Sequence, residues 1–362
     1  MPFTTILLIL LALVIYLLLC FYIGYNGWVW LKTTQFAAFK KTYIMLIVLL
    51  SMSFFIGRFW SWLPIQFIGG FWLVLFGYSL LVLPLINLAV YLLKKKWIFQ
   101  FGLGTILFFV VVLIYGSYNA LSPVVTTYEV AIDKPATEKE LKIVVVSDLH
   151  LGKIVGEKHL ERLVAEVEAL RPDLILIPGD IIDDYIAPYL DKEMGKIVGK
   201  LHAPLGVYAV PGNHDYYGND VDQLVIEMDK IGIHVLADET ALVANDFYII
   251  GRKDLAAMSR MTTTALVADL DQNKPLIMMD HQPVEFDEAS DGGIDLLLSG
   301  HTHRGQLFPA NLITRLIFEN HYGYLKKDQL HSIVTSGFGT WGPPLRIGSR
   351  AEIVEINLKF QK

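Results

Sequence analysis

A chain of 362 residues that is 54% hydrophobic and only 18% charged is too apolar for an ordinary soluble domain. Its charge is also unevenly placed: the first 120 residues carry seven basic side chains (Lys32, Lys40, Lys41, Arg58, Lys94, Lys95, Lys96) and no acidic one, so all thirty-six Asp and Glu lie beyond. An acidic remainder argues against phosphate-backbone binding, and no nucleic acid is expected as a partner; the single cysteine, Cys20, excludes an internal disulfide and a thiol-based site in the acidic part.

A bilayer core of about 30 Å needs roughly 20 apolar residues in a helix, because only there are the backbone groups satisfied internally. Residues 3–23, 43–63, 67–93 and 98–118 meet that requirement, the second weakened by Gly57 and Arg58. The first stretch lacks the basic flank and small-residue cleavage site of a signal peptide and is expected to be retained. Trp28, Trp30, Trp60, Trp62 and Trp97 fall near the span ends, where an indole keeps its N–H wet. Lysines separate spans one and two, and again spans three and four, which predicts both loops cytoplasmic. The chain then reads as a multi-pass cell-membrane protein with everything after Ala120 extracytoplasmic. Whether the spans only anchor or also grip a lipid stays open.

The expected organisation is an all-α region of four transmembrane helices (1–120), a linker (121–140) containing Pro135, and a domain over 141–362. In that domain five apolar, β-rich runs end alike. Residues 141–146 lead into Asp148 and His150, 174–177 into Asp180, 207–210 into Asn213, His214 and Asp215, 276–279 into His281, and 294–298 into His301 and His303. Between them, 158–170 and 221–231 place apolar residues at helical spacing, which predicts an α/β domain with buried strands. One polar residue after one strand is usually a turn residue or a cap. Five in succession point elsewhere, since ligands gather beyond the carboxyl ends of such strands and burying so many polar groups is costly without a cation. Gly179, Gly212 and Gly300 each precede a candidate ligand, where a glycine lets the backbone swing the next residue inward.

The ordered series D-x-H (Asp148, His150), G-D-x-x-D (Gly179, Asp180, Asp183), G-N-H-D (Gly212 to Asp215), His281 and G-H-x-H (Gly300 to His303) resembles the calcineurin-like metallophosphoesterase family, in its membrane-anchored branch. The resemblance implies a two-sheet β-sandwich flanked by helices, with 331–335 and 351–358 completing the second sheet. It further implies that Asp148, His150 and His303 hold one divalent ion, that Asn213, His281 and His301 hold another, and that Asp180 bridges them. Mixed carboxylate, imidazole and amide donors suit manganese, iron or zinc. Two such ions make a shared hydroxide reactive toward phosphorus. His214 is then expected to stabilise the transition state or protonate the leaving oxygen, with Asp215 orienting its ring, while Asp183 and Asp184 stand behind the ligands or face solvent.

Two arginines are candidate substrate-binding groups. Arg304 stands where relatives often have glycine, and could pair with a second phosphate or extend to solvent. Arg346 lies in a Gly- and Pro-rich loop that could fold over the crevice or pack around Trp341. The expected activity is hydrolysis of a phosphodiester or pyrophosphate, with a lipid-linked phosphoester the substrate that the membrane-anchored branch brings to mind. A phosphomonoesterase of small molecules or phosphoproteins, and a non-catalytic membrane phosphate sensor, are the alternatives.

Overall fold

The computed structural model describes residues 3–59 and 62–361; Trp60 and the side chain of Arg58 lie outside the described residues. It separates into two compact units, residues 1–114 and 115–362.

Among the described residues of the first unit, helices α1 (Phe3–Leu31), α2 (Lys40–Phe59), α3 (Leu63–Leu92) and α4 (Ile98–Leu121) are long and apolar enough to cross a membrane. Each is apolar around its whole circumference, as a lipid-facing helix must be. Helix α1 runs eight residues past the expected end and takes Trp28 and Trp30 into its last turn. Trp30 donates its indole N–H to the Phe99 carbonyl (3.0 Å), so this tryptophan is a clasp between helices. The last turns of α4, from Tyr115 to Leu121, belong to the second unit.

That unit contains two six-stranded sheets among its described residues. The first has the order β1 (Val124–Ile132), β12 (Glu352–Phe360), β2 (Glu140–Val145), β3 (Leu174–Pro178), β4 (Val207–Val210), β5 (Ile233–Val235). The second runs β10 (Gly323–Lys327), β11 (Leu330–Val334), β9 (Leu296–Ser299), β8 (Leu276–Met279), β7 (Phe247–Gly251), β6 (Glu239–Val243). Helices α5 (Glu157–Leu170), α6 (Ala187–Asp191), α7 (Gly195–Val198), α8 (Asn213–Tyr217) and α9 (Val221–Asp229) lie between strands of the first sheet in the chain. Helices α10 (Thr263–Val267), α11 (Phe286–Asp291) and α12 (Ala310–Ile317) lie between strands of the second.

Strands β3, β8 and β9, and the 143–145 end of β2, read as apolar runs because both faces are covered. Inward residues such as Ile143, Leu176, Ile277 and Leu298 form the core between the sheets; the opposite face of the first sheet buries Ile175 and Ile177 against Leu160 and Leu163 of α5. Two expectations shift. Residues 124–132, inside the stretch expected as a linker, form β1, paired in parallel with β12 over nine residues. The 351–358 run does not join the second sheet: β12 sits between β1 and β2 in the first, because a strand's apolar pattern does not encode which edge it pairs with. Residues 330–334 do join the second sheet.

Candidate metal centre

Strands β2, β3 and β4 are parallel neighbours in one sheet, and β8 and β9 in the other, so five carboxyl ends emerge on one side. The loops beyond them are stitched together by their backbones. Asp148 N–H donates to Gly179 O and His150 N–H to Asp180 O (3.0 Å each); Gly300 N–H donates to His281 O (3.0 Å). Asp148, His150, Asp180, His301 and His303 all adopt left-handed φ values between 46° and 67°. Such conformations cost non-glycine residues of order 1 kcal/mol each and concentrate at functional sites.

The glycines act differently from the expectation. Only Gly179 of the three has a positive φ, +89°. Gly212 and Gly300 make room instead: a Cβ on Gly212 would fall on the Asp180 carboxylate and backbone, and one on Gly300 on Ser147 and the Asp148 carboxylate.

The structure brings all seven candidate ligands together. His303 Nε2 lies 3.3 Å from Asp148 Oδ1 and 3.0 Å from His150 Nε2, while His150 Nε2 is 3.7 Å from Asp180 Oδ2. On the other side of Asp180, His281 Nε2 is 3.2 Å from the same Oδ2. Asn213 Oδ1 lies 3.1 Å from His281 Nε2 and 2.8 Å from His301 Nδ1. Two donor groups thus share the Asp180 carboxylate. His281 Nδ1 donates to the Pro178 carbonyl (2.9 Å), which turns Nε2 toward the cluster. Asn213 donates its amide N–H to Tyr217 Oη (2.9 Å), fixing Oδ1 inward. Asp148 Oδ2 and His150 Nδ1 are buried without hydrogen-bond partners. An unpaired buried carboxylate oxygen among converging carboxylates and imidazoles fits a bound cation, which would offset its burial. Asp148, His150 and His303, and separately Asp148, Asp180 and His281, have ligand atoms close enough to share an ion.

Burial drives the Asp148 carboxyl above the usual carboxylate range and the His301 imidazole down to about 3. Burial also pulls on His281, but the negative charge of Asp180 outweighs it and raises that imidazole well above its usual value. Burial, the neighbouring His150 and the Arg346 charge keep His303 from taking a proton, as a ligand requires.

His214 is half-buried, with Nδ1 2.7 Å from Asp184 Oδ1 and 4.0 Å from Asp183 Oδ1. The Asp184 hydrogen bond and the nearby carboxylates overcome burial and raise its pKa above that of an ordinary imidazole. The ring's orienting partner is therefore Asp184, not Asp215 as expected. Asp215 is buried inside the α8 cap, where its carboxylate accepts from the backbone N–H groups of Ile181, Ile182 and Gly212 (3.2, 2.9 and 2.8 Å). Arg346 also departs from expectation, being fully buried and closed to a substrate. Its guanidinium donates to the carbonyls of Ser336, Gly337 and Gly339 and lies 3.2 Å from His303 Nδ1, so it braces a candidate ligand. Arg304 is half-buried with its guanidinium 4.3 Å over the Tyr322 ring. Asp184 does stand behind the ligands, but its pairing with His214, the part of Tyr217 and the bracing role of Arg346 were missed. The paired aspartates at 183–184 were the only signal, and spacing alone does not say which of two faces a ring.

The same residues carry the similarity to known proteins. The calcineurin-like phosphoesterase model matches residues 141–305. A metallophosphoesterase of Aquifex aeolicus is 33% identical over 268 residues, covering 69% of this chain and 98% of the relative. The chain belongs to the calcineurin-like phosphoesterases. A second relative from Campylobacter jejuni is 33% identical over 262 residues, 70% of this chain and 68% of its own length. The transmembrane protein with metallophosphoesterase domain of Danio rerio is 35% identical over 266 residues, 69% of this chain but 60% of the fish protein. As a calcineurin-like phosphoesterase the protein is a metal-dependent phosphoester hydrolase, and its four apolar helices associate it with a membrane.

Proposed function

We propose that this phosphoesterase is anchored by residues 1–120 and cleaves phosphodiester or pyrophosphate bonds, those of lipid-linked substrates among them, from the extracytoplasmic side of a cell membrane. Asp148, His150 and His303 would hold one divalent cation and Asn213, His281 and His301 a second, with Asp180 shared between them. Bound cations there supply Lewis acidity and lower the pKa of water. The rest falls to the chain. Asp184 holds Nδ1 of His214 and favours the protonated ring, so Nε2 is the nitrogen left to donate a proton to the departing oxygen. Burial of the carboxylates excludes bulk water and strengthens each electrostatic contact. The observation that carries the reading is the meeting of seven donors from five loops, with six of them gathered about the seventh, the Asp180 carboxylate.

The experiment is hydrolysis by the detergent-purified full chain, stripped with chelator and reloaded with manganese, iron or zinc. Bis-p-nitrophenyl phosphate, phospholipids, lipid pyrophosphates and phosphomonoesters form the substrate panel. Metal-dependent turnover of diesters or pyrophosphates, lost in Asp180→Asn, is expected. Turnover of monoesters alone would replace the substrate class, and phosphate binding with no turnover of any substrate would make the protein a sensor.

A further inference from the structure

Helix α12 is built inside out for a protein surrounded by water. Its polar residues Asn311 and Thr314 are half-buried on the domain side, whereas Leu312, Ile313, Leu316 and Ile317 are 51, 56, 87 and 67% exposed. A surface helix ordinarily turns its apolar stripe to the core. Phe308, two residues before the helix, is also exposed, and so contiguous an apolar patch marks a contact surface.

Two observations identify what covers it. The segment entering α12 is bonded to the end of a membrane-spanning helix through one short relay: Phe308 N–H donates to Ile347 O (2.7 Å), Ile347 N–H to Gln306 O (2.8 Å), and Arg346 N–H to Gly116 O in α4 (2.9 Å). Asn119 of α4 adds a side-chain bond to Arg346 O (3.2 Å). The second observation is charge. From Ala310 through Phe318 the chain has one charged residue, the exposed Arg315, and no acid, and Glu319 that follows is paired with Lys327 at 3.0 Å. An apolar face carrying a cation suits the headgroup layer of an anionic bilayer.

We infer that α12 is an interfacial helix, with Leu312, Ile313, Leu316 and Ile317 immersed in the bilayer that α1–α4 cross. This rests on those helices crossing a bilayer and not on which phosphoester is cut. Helix α12 is tied to the candidate metal centre: it begins seven residues after His303 in the chain, and the Phe318 ring following it packs edge-on against His301 at 5.9 Å. Docking would therefore hold the centre at headgroup depth.

The test uses the full chain in a Cys20→Ser background, with an environment-sensitive fluorophore on Leu316→Cys or Ile313→Cys and, as control, on exposed Lys200→Cys. The protein is reconstituted singly into phosphatidylglycerol/phosphatidylcholine nanodiscs with or without spin-labelled acyl chains. Blue-shifted emission and lipid quenching at 316 and 313, absent at 200 and diminished at 316 by Arg315→Glu, are expected. Unquenched, water-like emission at both positions overturns the inference, provided the melting curves match the unlabelled protein. Blue-shifted emission that needs two copies per disc and ignores the spin label also overturns it, by assigning the face to a second chain.

Discussion

Three candidate ligands and the proposed proton donor owe their orientation to neighbouring groups. His281 is turned by the Pro178 carbonyl, Asn213 by Tyr217, His214 by Asp184 and His303 by Arg346. Replacing His214 by Gln should reduce turnover by about 10²–10⁴-fold with metal content unchanged, as measured by steady-state rates beside elemental analysis. Asp215→Asn tests a different role. The amide keeps one acceptor but presents a donor to three backbone donors, so the variant should lose about 1–3 kcal/mol in denaturant titration. The seven candidate donors were legible only through the ordered family motifs, because His214 and Asp215 follow an apolar run just as Asn213 does. Which acid faces His214 was not, because neighbouring aspartates at 183, 184 and 215 differ only in where the folded backbone points them.

At the scale of elements, the strand ends and their glycines make the centre possible. Gly212→Ala should lower bound metal and activity together, because the new methyl meets Asp180 backbone as well as its carboxylate and backbone cannot rotate away. Metal content by mass spectrometry decides this. Elsewhere, the loop after β7 is tied down by Arg252 and Arg260, which share Asp280 and Glu285 at 2.6–3.4 Å. Burial raises the Glu285 pKa, but the two arginines outweigh it and lower it below the usual glutamate value. A depressed folded pKa means that this stabilisation is present above the unfolded value and lost as pH falls through the folded one. Glu285→Gln should therefore cost about 0.5–1 kcal/mol at pH 7, given its partial exposure, and the difference from wild type should vanish at acid pH in pH-dependent unfolding. The strands were legible as elements; the sheet that β12 joins was not, since pairing is decided by partners distant in the chain.

For the whole molecule the charge asymmetry makes a testable prediction of orientation. Lys32, Lys40 and Lys41 in one loop and Lys94, Lys95 and Lys96 in another should remain on the cytoplasmic face, with the 115–362 unit outside. Impermeant thiol labelling of intact cells should modify Lys200→Cys and spare Lys95→Cys in a Cys20→Ser background; the reverse pattern would invert the topology. The sequence by itself determined four helices long and apolar enough to cross a membrane, the α/β character of the rest and a set of seven candidate donors, because hydropathy and strand-end chemistry are local properties of a chain. Tertiary structure alone decided that Arg346 is a buried brace, that Asp184 serves His214, that β1 belongs to a sheet and that α12 shows its apolar side outward. Each of these depends on contacts between residues far apart in sequence, and no window of letters contains such a contact.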